Sequence, residues 1–133
     1  MPIEASVAIE RESDIVLARQ RGRELAASLG FSTTDQTLLA TAISELARNI
    51  VSYAGRGEVQ LSSVYDGTRR GIMVVAEDHG PGIPNTELAM RDGYSTGNSL
   101  GVGLPGARRL VDDFELCSTP GVGTTVTLKK WLR

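Results

Sequence analysis

The order of apolar patterns in this chain predicts an α+β fold: a largely antiparallel or mixed sheet covered by helices on one face. Three observations carry that expectation. Two consecutive segments, one stopping at Gly30 and the next at about Tyr53, repeat apolar residues at helical spacing. Two pairs of strand-like runs are joined by short turns, Asp66-Gly67 in one and Thr119-Pro120-Gly121-Val122-Gly123 in the other, the pattern of β-hairpins. The full order reads β-α-α-β-β-α-loop-α-β-β, with no repeat and no interdomain linker, so residues 1–133 are expected to form one domain.

Each element has its own warrant. Residues Ile3 to Ile9 alternate loosely and suit a short strand at an edge. Ser13 and Asp14 offer capping side chains to a first helix, whose positions Ile15, Ala18, Gly22, Leu25, Ala26 and Leu29 share a stripe that Gly30 ends as a C′ glycine. A second helix starts near Ser32-Thr33-Thr34, and Leu39, Ala42, Ile43, Leu46, Ile50 and Tyr53 line one side of it before Ala54-Gly55-Arg56-Gly57 breaks the pattern. Val59–Val64 and Ile72–Glu77 form the first hairpin. Asn85 can cap a short helix through Met90 that Gly93 ends, and Tyr94–Ser99 has a loop composition. Leu104–Asp112 is helical, with Pro105 in its first turn, and Phe114–Ser118 and Thr124–Leu128 are the last strands.

Composition excludes several functions. With 133 residues, 41% hydrophobic and 23% charged, the chain is an ordinary globular sequence able to bury a core. A net charge of −2 gives no electrostatic reason to expect nucleic acid. The basic clusters, Lys129-Lys130 among them, read as solvated faces. Cys117 is the only cysteine and His79 the only histidine, which removes an internal disulfide, a cysteine-based zinc site and a His-rich metal site. No apolar stretch approaches the roughly 20 residues that span a bilayer, and the N-terminus lacks a signal pattern, so no membrane association and a cytoplasmic location are expected.

Four segments hold chemistry. Asp78-His79-Gly80-Pro81-Gly82-Ile83-Pro84 follows the apolar run Ile72–Ala76, so a strand delivers one carboxylate into a rigid turn. Taken alone it is a surface turn. Glu45 and Asn49 lie four residues apart on the second helix, separated by roughly 40° of rotation, at the border of its apolar stripe. Alone, they read as a surface Glu paired with Arg48 and an Asn with no special use. Gly101-Val102-Gly103-Leu104-Pro105-Gly106 matches G-x-G-x-x-G, but it follows a loop and opens no βαβ unit, which rejects a dinucleotide fold. A phosphate site or a hinge remains for it. Gly121-Val122-Gly123-Thr124-Thr125 is a hairpin turn whose Thr hydroxyl can face a ligand.

In this order the four segments resemble the ATP-binding domain shared by DNA gyrase B, Hsp90, sensor histidine kinases and MutL, the GHKL or Bergerat family. Glu45-Leu46-Ala47-Arg48-Asn49 looks like its N box, Asp78-His79-Gly80-Pro81-Gly82 its first glycine box, Gly101-Val102-Gly103-Leu104 its second and Gly121-Val122-Gly123-Thr124 its third. Small size, these motifs and the terminal Trp131-Leu132-Arg133 are most similar to the bacterial anti-sigma-factor serine kinases, in particular the stressosome switch-protein kinases of the RsbT type.

The resemblance implies a two-layer α/β sandwich of the Bergerat type and a protein serine/threonine kinase using ATP and Mg²⁺. It implies that Asp78 accepts a hydrogen bond from the adenine amino group and that Gly80, Gly82 and Ile83 lie along the base. Asn49 is implied to ligate Mg²⁺, and Gly101, Val102, Gly103 and Leu104 to hold the phosphates. Thr124 is expected near the adenine, and Glu45 is expected to orient or deprotonate the attacking hydroxyl. The implied partners are STAS-domain substrate proteins of a stressosome and a PP2C-type phosphatase that the released kinase activates. The alternatives are an anti-sigma factor or nucleotide-controlled binding module with little kinase activity, a plain ATPase, or a histidine kinase fragment. One departure stands out: residues Asp92 to Gly103 carry no basic residue, which leaves Arg48, Arg91, or backbone with Mg²⁺ to serve the γ-phosphate.

Overall fold

The first helix begins two residues earlier than its expected caps. In the computed structural model, which describes residues 3–82 and 103–133, strand β1 (Ala5–Ile9) leads into helix α1 (Glu12–Ser28). Asp14 lies inside the first turn and reaches back, its Oδ2 accepting from the amides of Glu10 at 2.9 Å and Arg11 at 3.1 Å. A carboxylate there satisfies amides that the helix leaves orphaned and suits the positive end of its dipole. At the other end the Gly30 amide donates to the Ala27 carbonyl and the Phe31 amide to that of Ala26, the Schellman pattern that the glycine predicts.

Helix α2 (Thr33–Tyr53) starts where the sequence places it, with Ser32 Oγ accepting from the Asp35 amide at 3.1 Å. Its stripe of Leu39, Ala42, Ile43, Leu46 and Ile50 is buried. Gly22 of α1 sits directly against Ile43, where a Cβ would lie 2.1 Å from Cδ1, so a side chain at 22 would force the two helices to repack.

The sheet consists of β1, β2 (Gly57–Asp66), β3 (Arg69–Asp78), β4 (Asp113–Thr119) and β5 (Gly123–Trp131), in the order β1-β2-β3-β5-β4. Every pairing among these strands is antiparallel, which settles the antiparallel-or-mixed expectation. Register puts Leu61, Val74 and Leu128 in one cross-strand row and Val59, Ala76 and Val126 in the next. All six are buried, and they form one core with α1, α2 and helix α3 (Gly103–Arg109). The architecture is the two-layer α/β sandwich, with β1 at one edge as expected. The helix expected over Asn85–Met90 and the loop over Tyr94–Ser99 lie outside the described residues.

Two expectations need correction. The helix expected from Leu104 to Asp112 ends at Arg109, because Asp112 already belongs to the sheet side: its amide donates to the Lys129 carbonyl and its carboxylate accepts from the Trp131 amide. Lys130 is no solvated residue. Its register partner is Ile72, on the helix-facing side of β3, so the side chain is buried. Nζ donates to the Leu110 carbonyl at 2.8 Å and lies 3.8 Å from Asp35 Oδ1. A buried ammonium needs such partners, and here it ties the end of α3 to the start of α2.

Candidate functional site

The end of β3 and the facing side of α2 bring most of the expected site together. Asp78 closes β3 in register with Gly57 on one side and Thr124 on the other, and Ser118 extends the row onto β4. Asp78 is only 4% exposed. Oδ1 accepts from the Gly80 amide at 3.0 Å, an Asx turn that fixes the carboxylate's orientation. Oδ2 has no hydrogen-bond partner among the described residues. A nearly buried carboxylate with one idle oxygen is an acceptor awaiting a donor.

The loop after Asp78 rests on the β4–β5 turn. The Gly121 amide donates to the Pro81 carbonyl at 2.7 Å. Gly82, at φ 80°, lies so close to Thr119 that a Cβ would sit 2.6 Å from its carbonyl oxygen. Gly123, at φ 149°, would place a Cβ 2.2 Å from the Asp78 carbonyl oxygen. The first and third glycine segments are thus one packed unit. Gly123→Ala should combine backbone strain with a clash and cost on the order of 2–4 kcal/mol in urea unfolding. Unchanged stability would contradict this packing.

Thr124 Oγ1 and Ser118 Oγ are 2.9 Å apart, and Ser118 Oγ also lies 3.3 Å from the Gly123 carbonyl. The sequence reading missed Ser118. Its signal is register alone, because only the β4–β5 alignment sets this serine beside Thr124.

Helix α2 carries the other wall. Ala54, its last cap, touches Gly80, where a Cβ would approach Ala54 Cβ to 2.5 Å, and Ile50 lies against Gly57 in Asp78's row. Five residues before Ala54 is Asn49, half-buried, whose side-chain amide has no hydrogen-bond partner among the described residues. One turn before that is Glu45, only 5% exposed, and so not the surface residue of the simpler reading. Its Oε1 accepts from Arg48 Nη1 at 2.6 Å, and its Oε2 from the Gly103 amide at 3.1 Å. From Glu45 to Ala54 is about 14 Å along the helix axis at ~1.5 Å per residue. That length suits an extended ligand with a hydrogen-bonding head at Asp78 and an anionic tail near Glu45.

Leu104 is buried beneath Gly103 at the start of α3, so it holds the segment by packing while Gly103 presents its amide. Ile83, Gly101 and Val102 lie outside the described residues. His79 points away from acid–base work: it is 84% exposed, and its Nε2 is 3.5 Å from Glu77 Oε1. Cys117, which is exposed, is likewise a poor nucleophile, its thiol pushed up by the hydrogen bond to Glu115 and by that carboxylate's charge.

The residues present fit a nucleotide and Mg²⁺. The idle Asp78 oxygen suits an amino donor, and the Asn49 amide, unpaired among the described residues, offers a hard oxygen. No cluster of three or more His, Cys, Asp or Glu that could cage a metal exists among the described residues. No helix among them is long and apolar enough to cross a membrane.

Comparison with known proteins agrees with this geometry. Residues 34–133 match the model of the histidine kinase-, DNA gyrase B- and HSP90-like ATPase family. The chain is 52% identical over 130 residues to the serine/threonine-protein kinase RsbT of Bacillus subtilis, covering 98% of both chains. It is 29% identical over 113 residues to the anti-sigma F factor of Bacillus licheniformis, covering 80% of this chain and 76% of that one. Among solved structures, the RsbU and RsbW domains of Rv1364c from Mycobacterium tuberculosis superpose with a TM-score of 0.63 at 22% identity, over 97% of this chain and 33% of that one. The catalytic domain of the histidine kinase ThkA superposes with a TM-score of 0.54 at 15% identity, over 95% of both. The chain belongs to the histidine kinase-, DNA gyrase B- and HSP90-like ATPase family, where it groups with the protein serine/threonine kinases.

Proposed function

We propose that this protein is an ATP- and Mg²⁺-dependent serine/threonine kinase that phosphorylates STAS-domain proteins of a cytoplasmic stressosome and, when released from them, binds and activates a PP2C-type phosphatase. The observation that carries the kinase chemistry is the pair of nearly buried carboxylates on the two walls, Asp78 with an idle oxygen at the end of β3 and Glu45 beside the Gly103 amide on α2. The partners rest on the relation to RsbT at 52% identity.

In this reading Asp78 Oδ2 accepts from the adenine amino group, the flush Gly80–Gly82 backbone lets the base lie flat, and Thr124 borders the base with Ser118 behind it. Asn49 lends its carbonyl oxygen to Mg²⁺, which when bound neutralises phosphate charge. Ile83 lies along the base, and the Gly101–Leu104 backbone, Val102 included, holds the phosphate chain. Glu45 takes the proton of the incoming serine or threonine hydroxyl. The hydroxyl oxygen bonds to the γ-phosphorus as the bond from that phosphorus to the β–γ bridging oxygen breaks, and ADP departs.

The relation to an anti-sigma factor at 29% identity favours a second reading, a nucleotide-controlled binding module with little transfer. Incubation with Mg·ATP and purified STAS-domain proteins, followed by phosphosite mapping, decides between them. The kinase reading expects stoichiometric phosphoserine or phosphothreonine on one of them; stable ATP-dependent capture with no phosphate transferred contradicts it.

A further inference from the structure

The Glu45–Arg48 pair holds more than one helical salt bridge. Glu45 is nearly buried, and both its oxygens are taken: Arg48 Nη1 at 2.6 Å on one and the Gly103 amide at 3.1 Å on the other. A carboxylate so engaged is held in place by two donors, one on each oxygen, and one of them carries a full charge. Both donors are also groups that bind phosphate oxygens. Arg48 is 34% exposed, so its guanidinium stands at the boundary between the buried wall and solvent. Lys130, the buried cation of the sheet, is held elsewhere, by the Leu110 carbonyl and Asp35.

We propose that Arg48 is the cation for the terminal phosphate of ATP, and that Glu45 occupies its place until the nucleotide arrives. The proposal rests on the kinase reading. Without nucleotide, the Glu45 carboxylate stands in for a phosphate between Arg48 and Gly103. With ATP bound, the guanidinium swings from Glu45 Oε1 to the γ-phosphate, a short move for a side chain already at the rim, and the Gly103 amide turns to the phosphate chain. Glu45 is thereby released to accept the hydroxyl proton only when a γ-phosphate is present to be transferred. ADP has no terminal group to draw Arg48 away, so after transfer the pair re-forms. A single arginine would then couple recognition of the triphosphate to readiness of the base. Arg48 acts here as a substrate-binding residue, through a planar fork suited to phosphate oxygens.

The test is equilibrium binding of ATP and ADP, each with Mg²⁺, to wild type, Arg48→Gln, Arg48→Lys and Glu45→Gln, with phosphotransfer measured in parallel. Arg48→Gln should lose at least ~10-fold in ATP affinity while ADP affinity stays within ~2-fold, and Arg48→Lys should restore much of the difference. Glu45→Gln should bind ATP as well as wild type or better, since the amide competes less for Arg48. Equal losses for both nucleotides in Arg48→Gln would mean that the residue only supports the helix, and unchanged binding of both would mean that it never meets the phosphate; either overturns the assignment. Wild type that binds neither nucleotide overturns the kinase reading and this assignment together, a result visible before any variant is compared.

Discussion

Asp78→Asn should abolish useful ATP binding while leaving the fold intact. Asparagine keeps an oxygen for the Gly80 amide, so the Asx turn survives. What changes is the idle position: a charged acceptor becomes an amide that also presents a donor, and a donor cannot pair with the adenine amino group. A hydrogen bond to a charged group contributes about 1.5–3 kcal/mol, and each 1.4 kcal/mol is about tenfold, so a loss of roughly 10–100-fold in affinity is expected by titration calorimetry. Thermal unfolding should shift little. His79→Gln, one residue on, should bind ATP as wild type does, because that imidazole is exposed and its ion-pair partner among the described residues is Glu77. The opposite ranking of the two variants would show that the loop is read the wrong way round.

Glu45→Gln should separate binding from transfer. Glutamine retains a carbonyl oxygen for the Gly103 amide, so the link between α2 and α3 persists. It lacks the charge that holds Arg48 and the basicity to take a proton. Loss of a positioned general base costs about 10²–10⁴-fold in rate, so phosphotransfer should fall by that much while ATP affinity is retained or raised. A variant that transfers at the wild-type rate would remove Glu45 from the chemistry.

Much of this arrangement was legible in the residues. Helix α2 was readable from Ser32 to Tyr53 because its cap and its stripe agree, and local consistency of that kind leaves little for tertiary structure to override. The four strands after β1 were read too short. β2 and β3 run on through Gly57, Arg69 and Arg70, and β5 through Lys129, Lys130 and Trp131. These positions break the alternation but are held by cross-strand pairing, and Arg69 further covers the Trp131 ring at 4.3 Å. Lys130 looked solvated because its partners, Asp35 and the Leu110 carbonyl, belong to elements that only the fold brings near.

The same division runs through the site. Asp78, Glu45 and Asn49 stood out in the sequence as candidates because their motifs are local. Their state could not. The i+3 spacing of Glu45 and Arg48 was visible, yet it pointed to a surface ion pair, and burial gives that pair its meaning. Ser118 is an ordinary strand serine until the register of β4 against β5 sets it beside Thr124. The fit of the first glycine segment onto the third, with Gly123 against the Asp78 carbonyl, likewise depends on a contact between loops distant in sequence.

The most direct test of the central claim is a crystal structure of the chain with Mg²⁺ and a non-hydrolysable ATP analogue. The account predicts the adenine amino group on Asp78 Oδ2, the Asn49 side-chain oxygen on the metal, and the triphosphate running along α2 toward Glu45. A nucleotide bound with its base away from Asp78, or a metal that leaves Asn49 untouched, would contradict it.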